Sequence, residues 1–128
     1  MTPEQKIKYL ILLKVAAWED KPLKTAVTAD NIDDLYRDIE EPQDARSEIR
    51  SSGVDTGLPC EYSRHYETKA VAAKMLDGSW VGWTYYYGGG KHSEPDAIDW
   101  MDDAYDLDCQ EEEKVVTVRT FTRQEKSA

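Results

Sequence analysis

The residues best suited to chemistry gather in one stretch, Gly88-Gly89-Gly90-Lys91-His92-Ser93, which lies between a run of strand-forming residues and the helix opening Glu94-Pro95-Asp96. Glycines ahead of a helix N-terminus can turn backbone N–H groups toward an anion, and a lysine adds charge. Gly88, Gly89, Gly90, Lys91 and Ser93 therefore form a candidate anion-binding loop. The stretch has neither the P-loop spacing nor the dinucleotide-binding glycine fingerprint in its βαβ context. Glu94 and Asp96 would also repel a phosphate, so the same glycines read more simply as a backbone reversal between strand and helix.

Acid–base and metal chemistry find thinner material. His65, His92 and Glu67 are groups that can move protons near neutrality, and Cys60 with His65 could pair as nucleophile and base. No nucleophile-elbow, triad or HExxH spacing accompanies them. Cys60, Cys109, His65 and His92 match no zinc pattern, and two cysteines outside a CxxC pair read as reduced bystander thiols. The expectation is a non-enzymatic protein with no cofactor and no metal.

Charge carries the more specific signal. The chain of 128 residues has a net charge of −10, and its placement is uneven. Residues 94–113 hold ten acids and no base, and residues 27–62 sum to −7, while residues 1–26, 63–93 and 114–128 are mildly basic at +2, +2 and +3. Such a chain is repelled by bare nucleic acid and by anionic membranes and is attracted to basic protein surfaces. Asp96, Asp99, Asp102, Asp103, Asp106, Asp108, Glu111, Glu112 and Glu113 are accordingly the candidate partner-binding residues. The plain alternative is a solvated face that keeps the protein soluble. The sharper reading is a mimic of nucleic-acid charge that inhibits a nucleic-acid-handling protein, of the kind that phages and mobile elements carry.

The elements that position these groups follow from periodicity. Thr2-Pro3-Glu4-Gln5 has the form of a capping box with proline at the first helical position, and predicts a helix to about Trp18. Ile7, Leu10, Ile11, Val15 and Trp18 form its stripe. Tyr9, Leu12, Leu13 and Ala16 widen that stripe until the helix must be either central to the fold or part of a homodimer contact. A second helix is expected from Thr28 or Asp30 through Ile39 to Glu40, and a third over 43–52, anchored by Ala45 and Ile49 and stopped at Gly53. Residues 53–61 read as a loop.

Asp77-Gly78 predicts a β-hairpin with a two-residue type I′ turn, strands over 66–76 and 79–87, and a register that sets Leu76 opposite Ser79, Met75 opposite Trp80, Ala73 opposite Gly82, Ala72 opposite Trp83 and Val71 opposite Thr84. The aromatics of the second strand resemble a base-stacking platform, but the basic groove that such platforms need is missing, so one face reads as core and the other as a covered or protein-recognising face. Ser93 to Asp106 predicts a helix with Ala97, Ile98, Met101, Ala104 and Tyr105 inward, Trp100 at the border and the aspartates outward. Residues 114–123, KVVTVRTFTR, predict a last strand that joins the hairpin.

The whole is expected to be a single α+β domain, N-terminal helices followed by a small antiparallel sheet of three or four strands. No stretch is apolar enough to span a bilayer and no signal-peptide pattern opens the chain, so the expected location is the cytoplasm.

Overall fold

The computed structural model describes residues 1–89, 95 and 98–125. Three helices, α1 (Pro3–Trp18), α2 (Ile32–Arg37) and α3 (Gln43–Ser52), precede four strands, β1 (Val54–Asp55), β2 (Glu67–Lys74), β3 (Trp80–Tyr87) and β4 (Tyr105–Leu107). The sheet is antiparallel in the order β1-β2-β3-β4, so the fold is α+β, as the element order predicts. Among the described residues no helix is long and apolar enough to cross a membrane.

The start of α1 forms as its sequence dictates. Thr2 Oγ1 accepts from the Gln5 N–H at 3.2 Å and Gln5 Oε1 accepts from the Thr2 N–H at 2.9 Å, which satisfies two of the amides that a helix N-terminus leaves unpaired. Ile7 and Ile11 are fully buried, and α1 packs against α2, α3 and the sheet, the central position that its wide apolar arc requires. Lys8 Nζ donates to Asp33 at 2.9 Å and Gln5 Nε2 to the same carboxylate at 3.2 Å, which fastens α1 to α2. Those bonds hold the Asp33 carboxyl below its usual range.

Helix α2 is shorter than predicted. Thr28 and Asn31 bond each other's backbone N–H groups with their side chains, forming a turn that delays the helix to Ile32. Helix α3 spans the predicted residues and buries Ala45 and Ile49. Gly53 ends it without a left-handed residue, since its φ is −65°. A side chain there would collide with Val71 and Trp83, at 2.9 and 3.0 Å, so glycine is needed for close approach.

The hairpin forms, but its register differs from the prediction by one residue. Lys74 faces Trp80, Ala73 faces Val81, Ala72 faces Gly82 and Val71 faces Trp83, and Met75 lies opposite Ser79. The Met75 carbonyl accepts from the Gly78 N–H at 3.0 Å, and the Met75 N–H donates to the Ser79 carbonyl at 2.7 Å. Leu76, Asp77 and Gly78 thus make a three-residue loop in which only Gly78 has positive φ, +89°. Asp77 Oδ1 closes it by accepting from the Ser79 N–H and Oγ at 2.9 and 2.6 Å. Because side chains alternate along a strand, this slip turns β2 over: Val71 and Ala73, not Ala70 and Ala72, share a face with Val81 and Trp83.

That face is the core. Trp83 and Val81 are fully buried against Ile7, Ile11, Ala45 and Ile49. Trp83 Nε1 donates to the Arg50 carbonyl at 3.1 Å and Arg50 Nη1 donates to the Tyr86 carbonyl at 2.7 Å, so the end of α3 is tied to β3 by two hydrogen bonds. Trp100, expected at a helix border, is instead 1% exposed and packs on Trp83 with ring centroids 5.6 Å apart.

Two further expectations are corrected. Val54–Asp55, read as loop, forms an edge strand on β2. The segment 114–123 forms no strand: β4 takes the place beside β3, and Val115, Val116, Val118 and Phe121 are 74 to 103% exposed.

Candidate binding surface

The predicted acidic helix does not form over its described part. Residues 98–104 make a bend and a turn, 105–107 are β4, and Asp96 and Ala97 lie outside the described residues. The physical reason lies on β3. Gly82 leaves a bare strip on the sheet over which Tyr105 and Leu107 pack, so closely that a Cβ on Gly82 would sit 2.6 Å from the Tyr105 ring and 2.8 Å from Leu107 Cδ1. Backbone pairing with Trp80, Val81 and Gly82 offers residues 105–107 a ladder and an apolar bed that a helix cannot use. Trp100 and Met101, adjacent in sequence, are both buried.

The carboxylates are therefore displayed around a turn, on β4 and then on irregular chain. Asp99, Asp102 and Asp103 are exposed around the turn, and the Asp102 carboxyl is pushed above its usual range by its hydrogen bond with Asp99 and that group's charge. Asp106 is set apart from the rest. On the core side of β4 it accepts from Lys6 Nζ at 2.6 Å and ties the edge strand to α1. Asp108, Glu111, Glu112 and Glu113 are exposed on a segment without regular structure. Lys74 stands 3.8 Å from Glu111 and Lys114 stands 3.1 Å from Glu112, both pairs open to solvent.

The glycine loop is described only at its start. Gly88 and Gly89 have φ of +74° and +95°, the left-handed region in which a β-branched residue would be strained. A Cβ on Gly89 would also lie 2.5 Å from the Tyr66 ring. These two glycines are thus required by the path of the chain leaving β3. Gly90, Lys91, His92 and Ser93, the rest of the anion-loop expectation, lie outside the described residues, as does Glu94.

Among the described residues the helices pack on one face of the sheet. On the other, Trp80, Thr84 and Tyr86 from β3 lie beside Tyr105 and Leu107 from β4 and above Ala70 and Ala72 from β2. Trp80, Tyr86, Tyr105 and Leu107 are half-buried. Burial raises the Tyr86 and Tyr105 hydroxyls above their usual pKa, with the neighbouring Glu61, Asp103 and Cys60 adding to the first and Cys60 to the second. The Cys60 thiol lies 3.3 Å from Thr68 Oγ1, and Thr68 donates onward to the Glu61 carbonyl at 2.9 Å. A groove of about 310 Å³ opens at the far end of this face, bordered by Val54, Leu58, Ala72, Trp80 and Leu107. Val54 and Leu58 are about half exposed, at 56 and 48%.

Cys60 and Cys109 are free thiols, and among the described residues no group of three or more His, Cys, Asp or Glu side chains is arranged to hold a metal ion. Sequence reasoning passed over Arg46 and Arg50, whose spacing on one face of α3 was the available signal. No protein-family model, no curated protein and no solved structure matches the chain.

Proposed function

We propose that this chain is a non-enzymatic binding protein that acts in the cytoplasm, where its acidic segment occupies a basic surface of a nucleic-acid-handling protein and inhibits it by charge mimicry. The observation that carries this reading is the exposed run of Asp108, Glu111, Glu112 and Glu113 on irregular, outward-facing chain. Drawn out along a partner, such a chain would advance about 3.3 Å per residue, close to the ~3.4 Å between successive phosphates of one strand along a duplex axis. Consecutive glutamates on such a chain approach the charge density of a nucleic-acid strand more nearly than aspartates on a helix would. Asp99, Asp102 and Asp103 add charge beside the run, and Asp106, committed to Lys6, does not. The exposed pairs to Lys74 and Lys114 are of the kind worth at most ~1 kcal/mol, so a partner's arginines and lysines can replace them. A homodimer through α1 has less support, since Ile7, Ile11 and Leu12 are consumed within the fold.

The test compares immobilised wild type with a variant carrying Asp108→Asn, Glu111→Gln, Glu112→Gln and Glu113→Gln, using lysate from the source organism. Wild type should retain a protein that competing DNA releases, and retention should weaken as salt rises past about 0.15 M, where the Debye length is ~8 Å. The variant, folded to the same Tm, should retain at least about tenfold less. Equal retention by the two proteins, or a partner that DNA fails to displace, would end the mimic reading.

A further inference from the structure

We infer that Gln43, Arg46, Ser47 and Arg50 on α3, together with Trp100, form a binding site for a small oxyanion, a carboxylate or a phosphate group. The four α3 positions follow the i, i+3, i+4, i+7 spacing of a single helical stripe, and with Trp100 they enclose a cavity of about 70 Å³. Arg46 Nε, Arg50 Nε and Trp100 Nε1 are buried there without a hydrogen-bond partner. All three are donors. Buried polar atoms are nearly always paired, and three orphaned donors on residues that line one cavity point to an acceptor reached through it.

Charge narrows the identity of that acceptor. Neither arginine joins an ion pair among the described residues, although the chain carries 26 acids against 16 basic residues. Among the described residues no carboxylate borders the cavity. Water could satisfy the three N–H groups, yet among the described residues nothing compensates the two partly buried guanidinium charges, and an anion answers both needs. Size sets the limit: at roughly 30 Å³ for each water in the liquid, the space holds one oxyanion group, and the rest of a larger ligand would lie outside it.

The arginines are held ready for this role. Arg46 lies over the Trp100 ring at 5.9 Å and Arg50 over the Tyr85 ring at 5.0 Å, and Arg50 is further fixed by its bond to the Tyr86 carbonyl. Aromatic faces orient the guanidinium planes while leaving their edges to bind, which is the geometry in which arginine outperforms lysine for carboxylates and phosphates. The site shares Trp100 with the acidic stretch but uses none of the carboxylates proposed to meet a partner, and it stands whether or not they do so.

The experiment titrates sodium phosphate and, separately, sodium acetate into isotope-labelled protein, with sodium chloride holding the ionic strength constant. The indole N–H resonance of Trp100 should shift saturably with at least one anion, and the stronger of the two tells whether the natural ligand presents a phosphate or a carboxylate. At ten times Kd the Tm should rise by about 5 °C. Arg46→Gln should weaken binding by about tenfold or more, and Lys24→Gln, a change to an exposed cation between α1 and α2, should leave it unaltered. If Arg46→Gln does not fold, Arg46→Lys replaces it, and the wild-type Trp100 resonance decides the question by itself. An unmoved Trp100 resonance with both anions, or a shift that chloride reproduces, means that water fills the cavity and overturns the assignment.

Discussion

Strand β3, WVGWTYYY, and the segment 114–123, KVVTVRTFTR, are both rich in β-branched or aromatic residues, yet one lies in the middle of the sheet and the other carries side chains almost wholly open to solvent. The difference lies in what precedes each. Before β3 stands a tight loop that returns the chain onto β2, so the partner is already adjacent when the strand forms. Before residue 114 stand Asp108, Glu111, Glu112 and Glu113, whose mutual repulsion favours an extended chain and opposes folding back. Strand preference is chiefly a fit to a pleated neighbour, and without that neighbour it makes no strand.

The largest expected effect breaks the comparison at its buried side. Trp83→Ala should cost about 3–5 kcal/mol of unfolding free energy, since the ring is fully buried between α3 and Trp100 and its N–H bonds Arg50. Val118→Ala and Phe121→Ala should each change stability by less than about 0.5 kcal/mol by urea denaturation. A loss above 1 kcal/mol at Phe121 would show that the segment packs on the body in solution.

A smaller effect is expected at Gly82. Alanine there places a methyl group against the Tyr105 ring and Leu107, an overpacking that should cost about 1–3 kcal/mol and loosen β4, seen as faster amide exchange at residues 105–107. Unchanged exchange would mean that the two side chains do not rest on the strand.

The smallest effect concerns pH. Tyr86 and Tyr105 hold their protons more tightly in the folded state than in the unfolded one, chiefly through burial. Their contribution is therefore complete below the unfolded pKa of about 10 and is lost as pH rises through the folded values. Stability should fall as pH rises above about 10, and less steeply in Tyr86→Phe. An identical slope in the variant would exclude Tyr86 as a source.

The hairpin was legible because Asp77-Gly78 lies between two alternating runs; its register was not, because the same dipeptide serves a two-residue turn with positive φ at both positions and a three-residue loop with positive φ at glycine alone. The position of Val71 opposite Trp83 rather than Thr84 follows from the longer loop, and no local feature of the sequence announces it. Helices α1 and α3 carried their own signals, a capping box in one and the Ala45 and Ile49 spacing in the other. The acidic helix failed because Asp99, Asp102, Asp103 and Asp106 fit a helical arc in isolation, whereas the bed that Gly82 offers to Tyr105 and Leu107 exists only after β3 has formed. Of the candidate surface, the exposure of the acids was legible, but the commitment of Asp106 to Lys6, a hundred residues away, was not.

Every strand of this sheet lies beside its neighbour in sequence, and that simple meander bears on how quickly the molecule reaches its final form. No strand has to be threaded between two that are already joined, so the search for partners is short and the entropy of loop closure is met in small steps. The β2–β3 ribbon can zip outward from its loop within microseconds, on the timescale of isolated hairpins, and then serve as a template for the helices. The three residues of β4 form an outer edge of the sheet, so the acidic stretch that follows them is tethered to an edge strand that can open without disturbing the central β2–β3 pair.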